Sequence, residues 1–385
     1  MSPLPAHHKN KTKSSFDNPW PPVKTVSESI RGLVRLPFGL PFVRAEPFQI
    51  LGALKPTKTI DANFSVYHSE GGKSGICATW LGHAGYLVQL PSISDSRSTR
   101  ILFDPIFAEF AYPSNWVNGL RRRLPAPCAI DQLPDVDYVV ISHNHYDHCD
   151  TETLIALWTR CSPDRPVRFL VPLAVKDTLT AVGIPDSQIL ELDWWNNVTY
   201  HCPSPTKGSN IVFTCTPCQH TSGRGVMDQK GSLWASWVVQ QTMSDGAAVC
   251  AVYFAGDTGY QTATGPCPAF QEIGDKFGPF DLAMIPIWRG ATLSFLGQMG
   301  YRLADDTHLA TTHASPEDAV LLAKDVRARH SLAMHFATWA GSDDEALEPL
   351  VRLMRARKGD WSDEGGFGAI DIGQSVVIPV ITRER

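Results

Sequence analysis

Residues 141–150 read I-S-H-N-H-Y-D-H-C-D and follow the apolar run V-D-Y-V-V. That run has the pattern of a short strand buried on both faces, as in a parallel sheet. Directly behind it stand His143, His145, Asp147 and His148. In extended chain alternate side chains share a side, so His143 and His145 can converge on one ion. If the chain then turns into a helix at 151, Asp147 and His148 aim at a second point nearby. Imidazole and carboxylate suit a borderline divalent ion such as zinc. Three histidines and an aspartate behind an apolar strand are costly to bury unless something neutralises them. That cost sets a metal site above a polar surface loop.

Outward from this segment the chain is strand-rich. Strands are expected within 78–90, 99–107, 136–143, 167–172, 188–193, 210–217, 232–240, 248–257, 281–287, 330–336 and 376–381. Helices are expected over 151–159, 174–182, 316–329 and 343–357. Ser315, Pro316 and Asp318 form a capping box for the third of these helices. Two sheets packed face to face with helices outside, an α/β architecture, follows from this order. Three of the strand runs end in further ligand types: His220, Asp257 and His335. Each alone is weak. With the first four they make a seven-ligand set, which fits two metals sharing a bridging carboxylate.

Composition sets the bounds. In 385 residues, 34 Lys and Arg stand against 39 Asp and Glu, a net charge of −5, with 43% hydrophobic and 19% charged residues. This excludes a mostly disordered chain and argues against nucleic-acid binding through bulk positive charge. Nine cysteines without regular spacing argue for a reducing, intracellular compartment. The apolar stretch 34–48 is broken by Arg35, Arg44, Glu46 and three prolines, too interrupted to span a membrane. Residues 1–58 read as an extension and 59–385 as one catalytic domain. The first fifteen residues, with Lys9, Lys11 and Lys13 and no acid, read as a disordered polar tail, although a basic start also permits a mitochondrial address or a membrane-surface contact. Phe38, Phe42 and Phe48, spaced by prolines, would dip into lipid or, as is more usual for such residues, pack on the domain. D-T-G at 257–259 occurs once, whereas an aspartic protease needs two such carboxylates. Cys215 and Cys218 fall in a strand and read as core, not as a redox pair.

The order H-x-H-x-D-H, then His, Asp and His, resembles the ligand order of the metallo-β-lactamase fold. T-W-L-G-H-A (79–84), F-D-P-I-F (103–107), E-L-D-W-W (191–195), F-A-G-D-T-G-Y (254–260) and F-G-P-F-D-L-A (277–283) resemble the N-acylphosphatidylethanolamine-hydrolysing phospholipase D family. So do N-P-W-P (18–21) and R-R-R-L-P-A-P-C (121–128). The resemblance covers most of 75–340. It implies an αβ/βα four-layer sandwich and two zinc ions. His143, His145 and His220 would hold one, Asp147, His148 and His335 the other, and Asp257 would bridge. It further implies a substrate contact at Tyr146, a histidine near the substrate phosphate at His313, and catalytic roles for Asp147, Asp257 and His313. The partner would be a phospholipid, met at a membrane surface by a peripheral protein; a homodimer is left open. Arg121, Arg122 and Arg123 would contact lipid phosphates or form a solvated loop, and Trp194, Trp195, Trp288 and Phe295 would line an acyl groove or pack the core. The chain departs from the family pattern between Ile287 and His313 and near Q-T-A-T-G-P (261–266). A hydrolase of another ester, such as a lactone or cyclic nucleotide, and a silent lipid-binding scaffold are the alternatives.

Overall fold

The apolar runs form strands that share two sheets. The computed structural model describes residues 4–23, 42–44, 55–93, 97–112, 121–202, 208–289, 301–303 and 307–380, apart from 358, 360 and 363. Phe295 and most of the 288–312 departure lie outside the described residues.

The first sheet holds β1 (Ile76–Gly82), β2 (Gly85–Gln89), β3 (Arg100–Phe103), β4 (Tyr138–Val140), β5 (Arg168–Pro172) and β6 (Ile189–Leu192) in that spatial order, with the last strand of the chain beside β1. The second holds β7 (Asn197–Cys202), β8 (Ser209–Thr216), β9 (Ser236–Met243), β10 (Ala248–Phe254), β11 (Phe280–Pro286), β12 (Ala328–Met334) and β13 (Gly366–Gly368), again in spatial order. The last strand is β14 (Ser375–Ile378). Each sheet is antiparallel on one side and parallel on the other, changing over at β3 and at β10. Parallel neighbours need a crossover, and helices supply it. These are α1 (Thr151–Arg160) between β4 and β5, α2 (Pro268–Phe277) between β10 and β11, α3 (Pro316–Asp325) before β12, and α4 (Asp343–Ala356) after it.

The two faces of each inner strand are sorted by the period of two. Tyr138, Val140 and Leu170 join the core between the sheets, with Trp80, Phe103, Trp237 and Phe254. Val139, Phe169 and Val171 face the other way, onto Leu154 and Leu157 of α1. An all-apolar run therefore reads as a strand covered on both sides.

Several expected boundaries move. The 174–182 helix is a short Lys176–Thr180 turn. The 316–329 helix has the expected capping box but stops at Asp325, because Arg327 takes a left-handed φ of 61° that a continuing helix forbids. The 232–240 strand begins at Ser236; before it, Leu233 and Ala235 donate to the carbonyls of Leu173 and Ser142 at the ends of the other sheet.

The polar tail expected at the start is instead ordered over residues 4–23. His7 Nε2 and His8 Nε2 each meet one oxygen of Asp193, at 2.7 and 2.8 Å. His7 lies on Trp194, and Phe16 is fully buried in the inter-sheet core. Lys230 pairs with Asp17 at 2.7 Å. The strap then runs along the strand ends. Asn18 Nδ2 donates to the His220 carbonyl at 2.9 Å, Ala263 donates to the Pro21 carbonyl, and Val23 donates to Thr311 Oγ1. The departure near 261–266 is thus a small hairpin that receives the strap. Arg122 is not a lipid-facing residue. Its guanidinium donates to the carbonyls of Ile106 and Ala108 and lies over Trp339. Arg121 and Arg123 pair with Glu109 and Asp343.

Asp193→Ala would leave two buried imidazoles without their acceptor, at about 1–3 kcal/mol each. Residues 4–18 should then exchange amide hydrogens faster by mass spectrometry, while α1 and β4 stay protected. Unchanged protection of 4–18 would contradict the clasp.

Candidate metal centre

Strand ends bring the site together. β4, β10 and β12 point their carboxyl ends to one edge of the sandwich, where open α/β sheets place ligands. His143 and His145 follow β4, and Asp147 and His148 lie in the turn before α1. That helix is N-capped by Asp150, whose carboxylate accepts from Glu152 N and Thr153 N. His220 follows β8, Asp257 follows β10, and His335 follows β12. Gly256 makes the approach of Asp257 possible: its φ is 58°, and a Cβ there would stand 2.6 Å from Ser142 Cβ.

The seven residues singled out in the sequence meet here. His143 Nε2 and His145 Nδ1 are 2.8 Å apart, and His220 Nε2 is 3.2 Å from His145 Nδ1. Three imidazoles thus face one point. Asp147, His148 and His335 face a second, joined by His83, whose Nε2 is 3.0 Å from Asp147 Oδ2. Asp257 Oδ2 lies between the groups, at 3.0 Å from His335 Nε2, 3.2 Å from His148 Nε2 and 3.6 Å from His220 Nε2. His313 Nδ1 is 3.9 Å from the same oxygen. Tyr146 sits at the cleft, its ring 3.8 Å below the Arg224 guanidinium.

Backbone and carboxylate partners aim the rings. Asp104 accepts from His148 Nδ1 at 2.7 Å and from the Ser142 amide and hydroxyl. Ser142 Oγ meets His143 Nδ1, and the Thr312 carbonyl accepts from His220 Nδ1. With Nδ1 of His143, His148 and His220 occupied, Nε2 of these three turns inward, the arrangement found around ligating histidines.

The donor set fits cations. Nδ1 of His143 and of His220 donate outward, so both Nε2 atoms turn lone pairs toward His145 Nδ1, and one proton at most serves the three nitrogens. Among the described residues the buried His148 Nε2, Asp257 Oδ1, His313 Nδ1 and both nitrogens of His335 make no well-aligned hydrogen bond. The His7–His8–Asp193 group differs. There two Nε2 atoms face two carboxylate oxygens, so ordinary hydrogen bonds join the three side chains.

Burial pushes His143 and His220 well below the usual imidazole range, and takes His83 to about 3. These rings are neutral at pH 7, the form that offers a lone pair. Burial opposes charge on His148, but Asp257, Asp147 and Asp104 hold it well above the usual value. Burial likewise opposes charge on Asp257, yet His148 and His335 keep it ionised. His313 is brought down to about 4, chiefly by burial.

Three participants carry no sequence signal of their own: His83 in T-W-L-G-H-A, Asp104 in F-D-P-I-F, and Arg224. Each is a single polar residue without a spacing partner, so periodicity offers no signal for it. Trp288 does border the site, 5.9 Å from His313 between ring centres. Trp194 is core beneath the strap, and Trp195 stands away from the metal centre, under Lys276. Cys215 and Cys218 are buried, with thiols pushed well above their usual range by burial.

An open cleft of about 510 Å³ leads to this edge, lined by Tyr112, His145, Tyr146, Asp147, Arg224 and Val226 among others. Its volume suits a small ligand or a lipid head group.

Residues 99–336 match the family model described as a beta-lactamase superfamily domain. The chain is 33% identical over 333 residues to N-acyl-phosphatidylethanolamine-hydrolyzing phospholipase D 1 of Caenorhabditis elegans, covering 85% of this chain and 81% of that protein. It is 30% identical over 303 residues to the mitochondrial N-acyl-phosphatidylethanolamine-hydrolyzing phospholipase D of Saccharomyces cerevisiae, 78% of this chain and 56% of that one. Among solved structures, an isothiocyanate hydrolase from Delia radicum gut bacteria aligns with TM-score 0.50 at 16% identity, over 79% of this chain and all of that one, which speaks for the fold alone.

Asp104→Ala should leave the fold intact but free His148 to rotate. Metal retained against a competing chelator should fall by about tenfold or more. Retention equal to the parent protein would remove Asp104 from the ring-orienting role.

Proposed function

The chain belongs to the beta-lactamase superfamily, within it to the N-acylphosphatidylethanolamine-hydrolysing phospholipase D family, and is a metal-dependent hydrolase; from that premise we propose that it cleaves N-acylphosphatidylethanolamine to N-acylethanolamine and phosphatidic acid. The observation that carries the reading is Asp257 Oδ2, placed between two inward-facing groups of ligand atoms. His143, His145 and His220 would hold one zinc ion, Asp147, His148 and His335 the other, with Asp257 shared. Such a pair, when bound, supplies Lewis acidity toward phosphoryl oxygens and an acidified water.

The chain's own residues do the rest. Asp147 and Asp257 stay ionised and balance the cations. Asp104 and Ser142 keep His148 and His143 in one orientation. His313, neutral at pH 7 and partly exposed beside Asp257, can donate an N–H to a phosphoryl oxygen as charge gathers there. Tyr146, pinned beneath Arg224, forms the cleft wall against which the head group would lie. In the reaction a water oxygen joins phosphorus, the bond from phosphorus to the N-acylethanolamine oxygen breaks, and that oxygen takes a proton.

No helix among the described residues is long and apolar enough to cross a membrane. The reading is therefore of a peripheral enzyme that meets its lipid from one side. A mitochondrial membrane is one such surface, named for the yeast relative.

Purified protein should carry two zinc ions per chain and release N-acylethanolamine from N-acylphosphatidylethanolamine, detected by lipid mass spectrometry. Chelation and Asp257→Ala should each reduce release by about a thousandfold or more. Cleavage of a lactone or cyclic nucleotide, with the phospholipid untouched, would replace this substrate. Full activity of Asp257→Ala would remove the bridging role.

A further inference from the structure

The segment Gly223–Gly231 forms one wall of the cleft and ends in water. Val226 is 90% exposed and Met227 97% exposed. Two adjacent apolar side chains held this far out are unusual where nothing meets them. The backbone around them is firmly held. Gly223 N donates to Asn144 Oδ1, and Arg224 Nη1 donates to the carbonyls of Asn144 and Cys149, on either side of the metal-ligand turn. Arg224 N and Gly225 N both donate to the Asp228 carboxylate, and Gln229 Nε2 donates to the Gly225 carbonyl. Lys230 N donates to the Ser222 carbonyl and closes the base. The tip is therefore displayed by construction, and its neighbouring acid is turned into the turn.

The order of chemistry along this loop is informative. Nearest the metal centre stands Arg224, a guanidinium on the cleft wall that no carboxylate pairs among the described residues. Beyond it stand Val226 and Met227. On the same cleft Tyr112, 45% exposed, packs against Tyr146. Cation at the depth of phosphates, aliphatic side chains deeper, and an amphipathic ring at the boundary is the layering of a lipid–water interface.

We propose that the Gly223–Gly231 loop is the lip by which this protein docks on a phospholipid surface. Val226 and Met227 enter the boundary of head groups and acyl chains, and Arg224 meets a phosphate at the cleft mouth. This rests on the phospholipid reading above and adds the surface and the orientation. A lipid docked this way has its phosphate within reach of Tyr146, without leaving the membrane entirely. The same layering does not suit a second copy of the chain as well, because a guanidinium beside an aliphatic tip needs an anion beside an apolar layer.

Flotation with vesicles of phosphatidylcholine and phosphatidylethanolamine, which carry no net charge, tests the apolar part. The double variant Val226→Ser/Met227→Ser should lower the vesicle partition coefficient by about tenfold or more. Met227→Ser alone should hydrolyse a short-chain, fully dispersed N-acylphosphatidylethanolamine within about twofold of the parent rate, since Met227 neither lines the cleft nor touches the ligand cluster. Met227→Trp should shift the tryptophan emission to the blue on addition of vesicles, relative to the parent protein, and brominated lipid should quench the difference. Equal flotation of parent and double variant, or an emission at 227 unmoved by vesicles, would overturn the proposal. So would a parent dimer in sedimentation that the double variant abolishes. If docking behaves as expected while no phospholipid is cleaved, the lip stands and the substrate reading fails. If dispersed substrate is cleaved while docking is unaffected by the variant, the substrate reading stands and the lip fails.

Discussion

Everything at the working edge of this protein follows from one electrostatic constraint. Five histidines and two aspartates converge at the floor of a cleft, and the nitrogens of His143, His145 and His220 face one another at hydrogen-bonding distance. Protons alone cannot resolve such a cluster. Each unpaired buried polar atom would cost about 1–3 kcal/mol. A cation accepts every inward lone pair at once. Asp257 ties the two groups together, because one carboxylate oxygen lies within 3.6 Å of members of both.

The two sheets exist, from the site's point of view, to deliver short chain ends to one edge. The strands before His143, Asp257 and His335 have parallel neighbours and present the same end, while His220 comes from the antiparallel half of its sheet. A β-strand cannot curl its own side chains around an ion. The residues just past it can, once a sharp turn is allowed, and several lie in strained backbone: Asp104, His83 and His335 have positive φ, and Gly256 holds the place where a side chain would collide with Ser142. The packed sandwich between the sheets holds these turns in place, since the strands that carry them are buried on both faces.

Around that centre lie two elements of different character. The strap of residues 4–23 is fastened by complementary pairs, imidazole to carboxylate and lysine to aspartate, and reaches the back of His220 through Asn18. The Gly223–Gly231 loop is fastened just as firmly on its inner side, while its outer side meets none of the described residues. One is folded onto the molecule and the other holds two apolar side chains in water.

Local sequence was enough for the nature of the site and for most of the elements. H-N-H-Y-D-H behind an apolar run states its chemistry through residue type and spacing alone, and the capping box at Ser315 marks a helix start because its hydrogen bonds are three residues apart. His220, Asp257 and His335 could be nominated because strands end beside them. What tertiary structure decided is everything whose partner is remote. His7 and His8 look like parts of a polar tail until Asp193, some 186 residues away, gives them an acceptor. Arg122 looks like a lipid-facing cation until the carbonyls of Ile106 and Ala108 and the face of Trp339 enclose it. His83 becomes a member of the centre only when a turn of the first sheet arrives beside Asp147. Hydrophobic period and capping are short-range and are written in neighbouring letters; the pairing of one buried charge with another is set by which distant turns the fold brings together.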